Sequence, residues 1–187
     1  MDAQEDVIAI LVTDHREVEQ MFSELELLTG DIGEKGKTLA EQVVIELVRH
    51  SIAEEAYLYP AVREHVPGGD QLADEEIAEH AEAEQTMKRL ERLEPGDTDF
   101  WPTVRLLMGQ IRHHMQEEES DLFPRLRQAC TEEQLRELGA KVERAKKIAP
   151  TRPHPSAPDT PPGNKLLAPG VGLVDRIRDA LTGRGRS

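Results

Sequence analysis

The chain has 187 residues, a net charge of −14, only 3% aromatic residues and a single cysteine. That length supports one domain of ordinary size plus a tail, and the charge argues against nucleic-acid binding, which needs a basic face. The lone Cys130 excludes an intramolecular disulfide framework, Cys-rich zinc sites and cysteine-ligated iron–sulfur clusters.

No apolar run approaches the roughly 20 residues needed to span a bilayer, so no transmembrane segment is expected. The opening MDAQEDVIAI carries acids where a secretory leader carries positive charge. A cytoplasmic protein is expected. With so few aromatics the core must come from Leu, Ile, Val, Ala and Met, which suits a helical bundle.

The first predicted helix covers about 3–29, with Ile8, Leu11, His15, Val18, Phe22 and Leu25 on one stripe. Gly30 to Gly33 ends it. The second covers about 36–65, where Val43, Leu47, His50, Glu54, Tyr57 and Ala61 share a face. Pro60 is expected to kink or locally unwind its last turns. The third, about 70–93, carries Ala73, Ile77, His80, Met87 and Leu90 and stops at the Glu94-Pro95-Gly96-Asp97 turn. The fourth, about 100–129, opens with Pro102 in its first turn and aligns Leu107, Ile111, His114, Glu118 and Leu122. A fifth, shorter helix fits 131–147, with Thr131 and Gln134 as a capping box and a Lys/Arg-rich end.

From Pro150 the composition changes to a Pro-rich, mildly basic tail, expected to be extended and flexible. Leu173, Val174, Ile177 and Leu181 suggest a short amphipathic terminal segment whose partner the sequence leaves unknown. The division is therefore a domain over 1–149 and a tail over 150–187. Short connections between the four main segments imply an all-α, antiparallel up-down-up-down four-helix bundle.

Two stretches repeat one message. His50-Ser-Ile-Ala-Glu54-Glu55-Ala-Tyr57-Leu-Tyr59-Pro60 and His114-Met-Gln-Glu117-Glu118-Glu119-Ser-Asp121-Leu-Phe123-Pro124 both read H-x-x-x-E-E-x-x-L-aromatic-P. Residues four apart lie on one helical face, so each stretch presents an imidazole and a carboxylate to the same point. His15 and His80 add one mid-helix histidine on each of the other two rods. In an antiparallel bundle these six groups meet at one level. Buried without a shared partner they would be costly, and a metal cluster resolves that cost. A metal-free structural bundle is the bland alternative.

Four imidazoles and two carboxylates suit borderline transition metals rather than calcium or magnesium. Six ligands exceed what one structural zinc takes, and they suit two irons with the glutamates bridging and the imidazoles capping. Manganese would favour a more oxygen-rich set. His113 lies about 100° round the helix from His114, beside Gln110 and Glu117. Glu55 and Glu119 point away from the ligand face, toward solvent or a supporting contact. His65, His154 and Cys130 carry no such pattern.

The arrangement H…H-x-x-x-E…H…H-x-x-x-E resembles the hemerythrin-like HHE cation-binding family, over roughly residues 5–147. The resemblance implies a four-helix bundle with a non-haem di-iron centre, two irons per chain with an oxo or hydroxo bridge. It implies His15, His50, Glu54, His80, His114 and Glu118 as ligands, with Glu54 and Glu118 as the bridges.

Departures from the family pattern bear on function. Oxygen-carrying hemerythrins use five histidines, including an H-x-x-x-H pair on the third helix, and an aspartate five residues after the last histidine. Here His80 has Glu76 and Glu84 one turn to either side, and the fourth helix offers Glu118. The vacancy left by the missing imidazole is open to solvent, or filled by Glu84, or by Tyr57. An anionic oxygen donor or a vacancy favours the ferric state and redox chemistry over reversible oxygen carriage. The leading expectation is reaction with small oxidants (hydrogen peroxide, nitric oxide or oxygen), of catalase or peroxidase type. The alternative is oxygen, nitric oxide or iron sensing without turnover.

Overall fold

The computed structural model describes residues 5–149. Residues 3 and 4 of the first expected helix, the tail from Pro150 with its amphipathic terminal segment, and His154 lie outside the described residues, and the first helix begins at Val7 rather than at residue 3.

Among the described residues five rods make the fold. The first is α1 (Val7–Leu27), entered at Asp6, whose side chain accepts from Ala9 N–H at 2.9 Å. The second is continuous from α2 (Glu34–Ala53) through a π-helical turn (Glu54–Leu58) into α3 (Tyr59–His65). The third is α4 (Gly69–Leu90). The fourth again joins three pieces: α5 (Phe100–Glu117), a π-helical turn (Glu118–Leu122) and α6 (Phe123–Ala129). The fifth is α7 (Glu132–Ile148), opened by the Thr131/Gln134 capping box, with both reciprocal bonds formed. Four rods form the antiparallel up-down-up-down bundle, and α7 packs along α1 and α2. None of the described helices is long and apolar enough to cross a membrane.

At Pro60 the second rod stays helical; the turn just before it is locally underwound into a wider, π-helical turn. Tyr59 N–H donates to Glu54 O, and Phe123 N–H to Glu118 O, each five residues back rather than four. A proline offers no N–H, and its ring crowds the carbonyl four residues earlier. A wider turn just before each proline relieves that crowding and keeps the rod helical. The inserted residue also rotates everything after it by about 100° relative to an unbroken α-helix.

The interior is two apolar layers. One gathers Phe22, Val43, Leu47, Met87, Phe100 and Leu107, the other Leu11, Leu58, Val62, Ala73, Leu126 and Leu135. Complete burial of such side chains contributes about 1.5–3 kcal/mol each. Both layers draw on all four bundle rods, so they fix the depth at which mid-helix residues face one another. Between them lies a polar layer of His15, His50, Glu54, His80, His114 and Glu118, all buried.

Candidate metal centre

Each of the four bundle rods contributes one histidine to this layer, and each of those rings is held from both sides. His15 Nδ1 meets Glu119 Oε1 at 2.9 Å, and His80 Nδ1 meets Glu55 Oε1 at 2.9 Å. His50 Nδ1 donates to Asp14 Oδ2 at 3.2 Å. His114 Nδ1 lies 2.8 Å from Glu76 Oε2 and 3.2 Å from Glu79 Oε2. With every Nδ1 facing a carboxylate, that nitrogen carries the proton and the Nε2 lone pair is left pointing inward.

Those inward atoms crowd together. His15 and His50 bring their Nε2 atoms to 3.3 Å, and His80 and His114 bring theirs to 3.1 Å. Glu54 reaches both pairs, with Oε1 2.9 Å from His50 Nε2 and Oε2 3.4 Å from His80 Nε2. Glu118 does the same from the opposite side, with Oε2 3.3 Å from His15 Nε2 and 3.7 Å from His114 Nε2. Both glutamates are 0% exposed. Both oxygens of Glu54 and Oε2 of Glu118 nevertheless lack a hydrogen-bond partner of good geometry.

Buried carboxylate oxygens without donors, set against imidazole lone pairs, cost several kcal/mol if left so. A cation removes the cost. Ligand atoms of His15, His50, Glu54 and Glu118 lie within 4.8 Å of one another, as do those of Glu54, His80 and His114, and those of Glu76, His114 and Glu118. The donor set therefore fits metal ions.

Protons serve where metal is absent. Burial alone would lower the histidines, but the charges of Glu54 and Asp14 outweigh it and push His50 up to about 10. His114 and His80 also rise against the effect of burial, His114 chiefly through Glu118 and His80 through the carboxylates of Glu54 and Glu55 that face its two nitrogens. Glu54 is held well below the usual carboxylate range; burial raises it, and His50 and His80 more than reverse that. Burial pushes Glu76 up toward its neutral form.

The phenol at the centre is Tyr59, not Tyr57. Tyr59 is 0% exposed, and its hydroxyl donates to Glu118 Oε1 at 3.2 Å and lies 3.1 Å from His80 Nε2. Tyr57 is half-buried against the apolar layer built around Leu58 and Val62. The π-helical turn accounts for the change, since its extra residue turns position 59, which faces away from His50 in an unbroken helix, by about 100° toward the ligand side. The repeated aromatic-Pro pair was the signal for it. Similarly, the α4 carboxylate that joins the converging atoms is Glu76, one turn before His80, whereas Glu84 is half-buried one turn after.

Pattern-reading offered Glu55 and Glu119 as supporting contacts but missed two further outer partners, Asp14 and Glu79. Asp14 and Glu79 each immediately precede a ligand-face histidine yet serve the histidine of the neighbouring rod. Lys146 of α7 donates to Asp14 Oδ1, which ties the fifth helix to the cluster. His113 faces outward, 63% exposed, with Nε2 3.5 Å from both Glu79 and Glu117. His65 lies at the end of α3, 3.9 Å from Glu64. A groove of about 370 Å³, lined by Arg16, Glu19, Arg112, Met115 and Glu119 among others, opens outside the Glu119–His15 contact.

The Hemerythrin HHE cation binding domain family matches residues 6–126. An uncharacterized hemerythrin-like protein of Schizosaccharomyces pombe is 27% identical over 169 residues, covering 90% of this chain and 82% of that one. A DNA nickase of Nostoc sp. is 30% identical over 137 residues, which is 73% of this chain but only 38% of the nickase. Among solved structures, a hemerythrin HHE cation binding domain-containing protein of Mycobacterium kansasii superposes with a TM-score of 0.65 at 21% identity. That superposition covers 76% of this chain and 88% of the other, and at this identity it speaks to the fold.

Proposed function

Since the chain belongs to the hemerythrin family through its HHE cation binding domain, we propose that it holds two irons and consumes small oxidants, hydrogen peroxide foremost, as a catalase- or peroxidase-type protein of the cytoplasm. In this reading His15 and His50 hold one ion, and His80 and His114 hold the other. Glu54 and Glu118, which each reach a histidine of both pairs, would be shared ligands, and the Tyr59 hydroxyl lies on the His80 side. The observation that carries it is the set of inward-facing Nε2 atoms and donor-less glutamate oxygens between two apolar layers.

Mixed imidazole and carboxylate donors suit iron better than calcium or magnesium, and their number exceeds the need of one structural zinc. A bound iron pair supplies Lewis acidity and stored electrons for a small oxidant. The remaining tasks fall to the chain's own residues. Asp14, Glu55, Glu79 and Glu119 orient the four rings and raise their basicity. The Tyr59 hydroxyl keeps a proton on the Glu118 side of the cluster. Its own acidity is suppressed, first by burial and then by the charges of Glu118 and Glu54. Dismutation of peroxide to water and oxygen balances without an added reductant.

Metal analysis and an absorption spectrum of the purified protein test the cofactor, and oxygen release from peroxide tests the activity. Two irons per chain, with oxygen released faster than by an equal amount of free iron, is the expected result. Iron-loaded protein that releases no more oxygen than free iron rejects the catalase reading. Spectral changes with nitric oxide or oxygen alone would then favour binding without turnover.

A further inference from the structure

The two halves of the cluster share their ligand types but not their surroundings. Around His15 and His50 both outer carboxylates are neutralised. Asp14 accepts from His50 on one oxygen and from Lys146 on the other. Glu119 accepts from His15, and Arg16 grips it through two bonds at 2.9 and 2.6 Å. Around His80 and His114 the outer carboxylates are Glu55, Glu79 and Glu76. Among the described residues no lysine or arginine forms an ion pair with any of the three, which pair with His80, His113 and His114.

The internal repeat makes the difference plain. Counting from the histidine of each half, Arg16 corresponds to Ala81 and Leu11 to Glu76. The residue after each π-helical turn differs in the same sense. Phe123 stacks on His15 with ring centroids 5.8 Å apart and offers no donor oxygen, whereas Tyr59 brings a hydroxyl to His80.

A carboxylate bonded to the outer nitrogen of an imidazole strengthens the inner nitrogen as a metal ligand. An ammonium or guanidinium on that carboxylate withdraws the effect, and its charge opposes a nearby dication in a medium less polar than water. Lys146 is only 22% exposed, so salt screens it less than it screens Arg16. Resting on the two-metal reading above, we infer that the positions are unequal: the one at His80 and His114 binds a divalent cation first and more tightly, and the one at His15 and His50 fills second because Lys146 and Arg16 cancel its outer charge.

Titration of metal-free, full-length protein with cobalt(II), followed by its visible absorption, tests this. Two steps separated by about tenfold or more in Kd are expected, the size of effect that outer partners exert on metal affinity. His15→Ala should abolish the weak step and keep the tight one, and His80→Ala should do the reverse. Arg16→Met, at an exposed position, and Lys146→Met should each tighten the weak step, together by about tenfold. Glu79→Gln should loosen the tight step. A single step of two equal equivalents overturns the inference and leaves the two-metal reading standing. So does a weak step unmoved by Arg16→Met, or a tight step lost in His15→Ala. Fewer than two bound cobalt ions per chain overturns the two-metal reading and the inequality with it.

Discussion

Tyr59 and Phe123 occupy equivalent places in the two halves of the bundle, each the first residue after a π-helical turn and each followed by proline, yet only Tyr59 carries a hydroxyl. Both rings pack against a histidine of the centre, Tyr59 on His80 at 5.4 Å and Phe123 on His15 at 5.8 Å. The fold thus treats them as one structural element, and the chemistry separates them. Tyr59→Phe should leave iron content near normal, because all six of the proposed imidazole and carboxylate ligands remain. It should lower peroxide turnover at least tenfold and cost about 1–3 kcal/mol of metal-free stability, as Glu118 Oε1 loses its donor. Unchanged turnover in a fully loaded variant would remove Tyr59 from the chemistry.

Adjacent histidines provide an internal control. His114 is buried with Nε2 turned to His80 and Glu118, whereas His113 faces solvent beside Glu79 and Glu117. His114→Ala should at least halve the bound iron, and His113→Ala should leave it near the wild-type level. Metal analysis of the two variants decides the matter, and equal losses would mean that the ring assignment is wrong.

Much of this centre is legible in the sequence because helical periodicity alone carries it. His50 with Glu54, and His114 with Glu118, need only a spacing of four, and His15 and His80 need only a place on an apolar stripe. What periodicity hides is any change of period. Tyr57 falls on the ligand face only if the helix keeps 3.6 residues per turn through Pro60, and the π-helical turn breaks that premise. The outer partners are obscured for another reason. Asp14 sits next to His15 in the chain but serves His50 across the interface, and Lys146 arrives from a rod more than a hundred residues later. Such pairings are set by how rods pack, which no single stripe encodes.

Protonation and metal compete for the same nitrogens, and this fixes a pH dependence. In the metal-free protein His50 lies near 10 and His80 and His114 are also raised, each by surrounding carboxylates that outweigh burial. Groups raised on folding contribute stability that is complete below their unfolded value of about 6.5 and is lost as pH climbs through the folded value. Metal-free protein should therefore lose thermal stability steadily from pH 6.5 to 9. Metal binding needs the neutral rings and so releases protons. The gain in Tm on loading should accordingly widen over the same range, as read by melting curves of both forms. A gain that shrinks with rising pH would contradict the assignment of these rings as metal ligands.

The fifth helix tests whether support and ligation are separable. Gly139 of α7 sits where an added Cβ would lie 2.7 Å from Glu5 O and 3.0 Å from Ile10 Cδ1, so α7 can approach α1 only with glycine there. Gly139→Val should push the two helices apart and cost about 1–3 kcal/mol, the usual effect of overpacking. The six proposed ligands all lie on the other four rods, so the folded variant should still take up metal. The contact that suffers is Lys146 with Asp14, because both partners depend on that packing. Urea unfolding beside metal analysis separates the outcomes: lower stability with metal retained is expected. Loss of metal from protein that remains folded would mean that α7 forms part of the metal-binding unit itself.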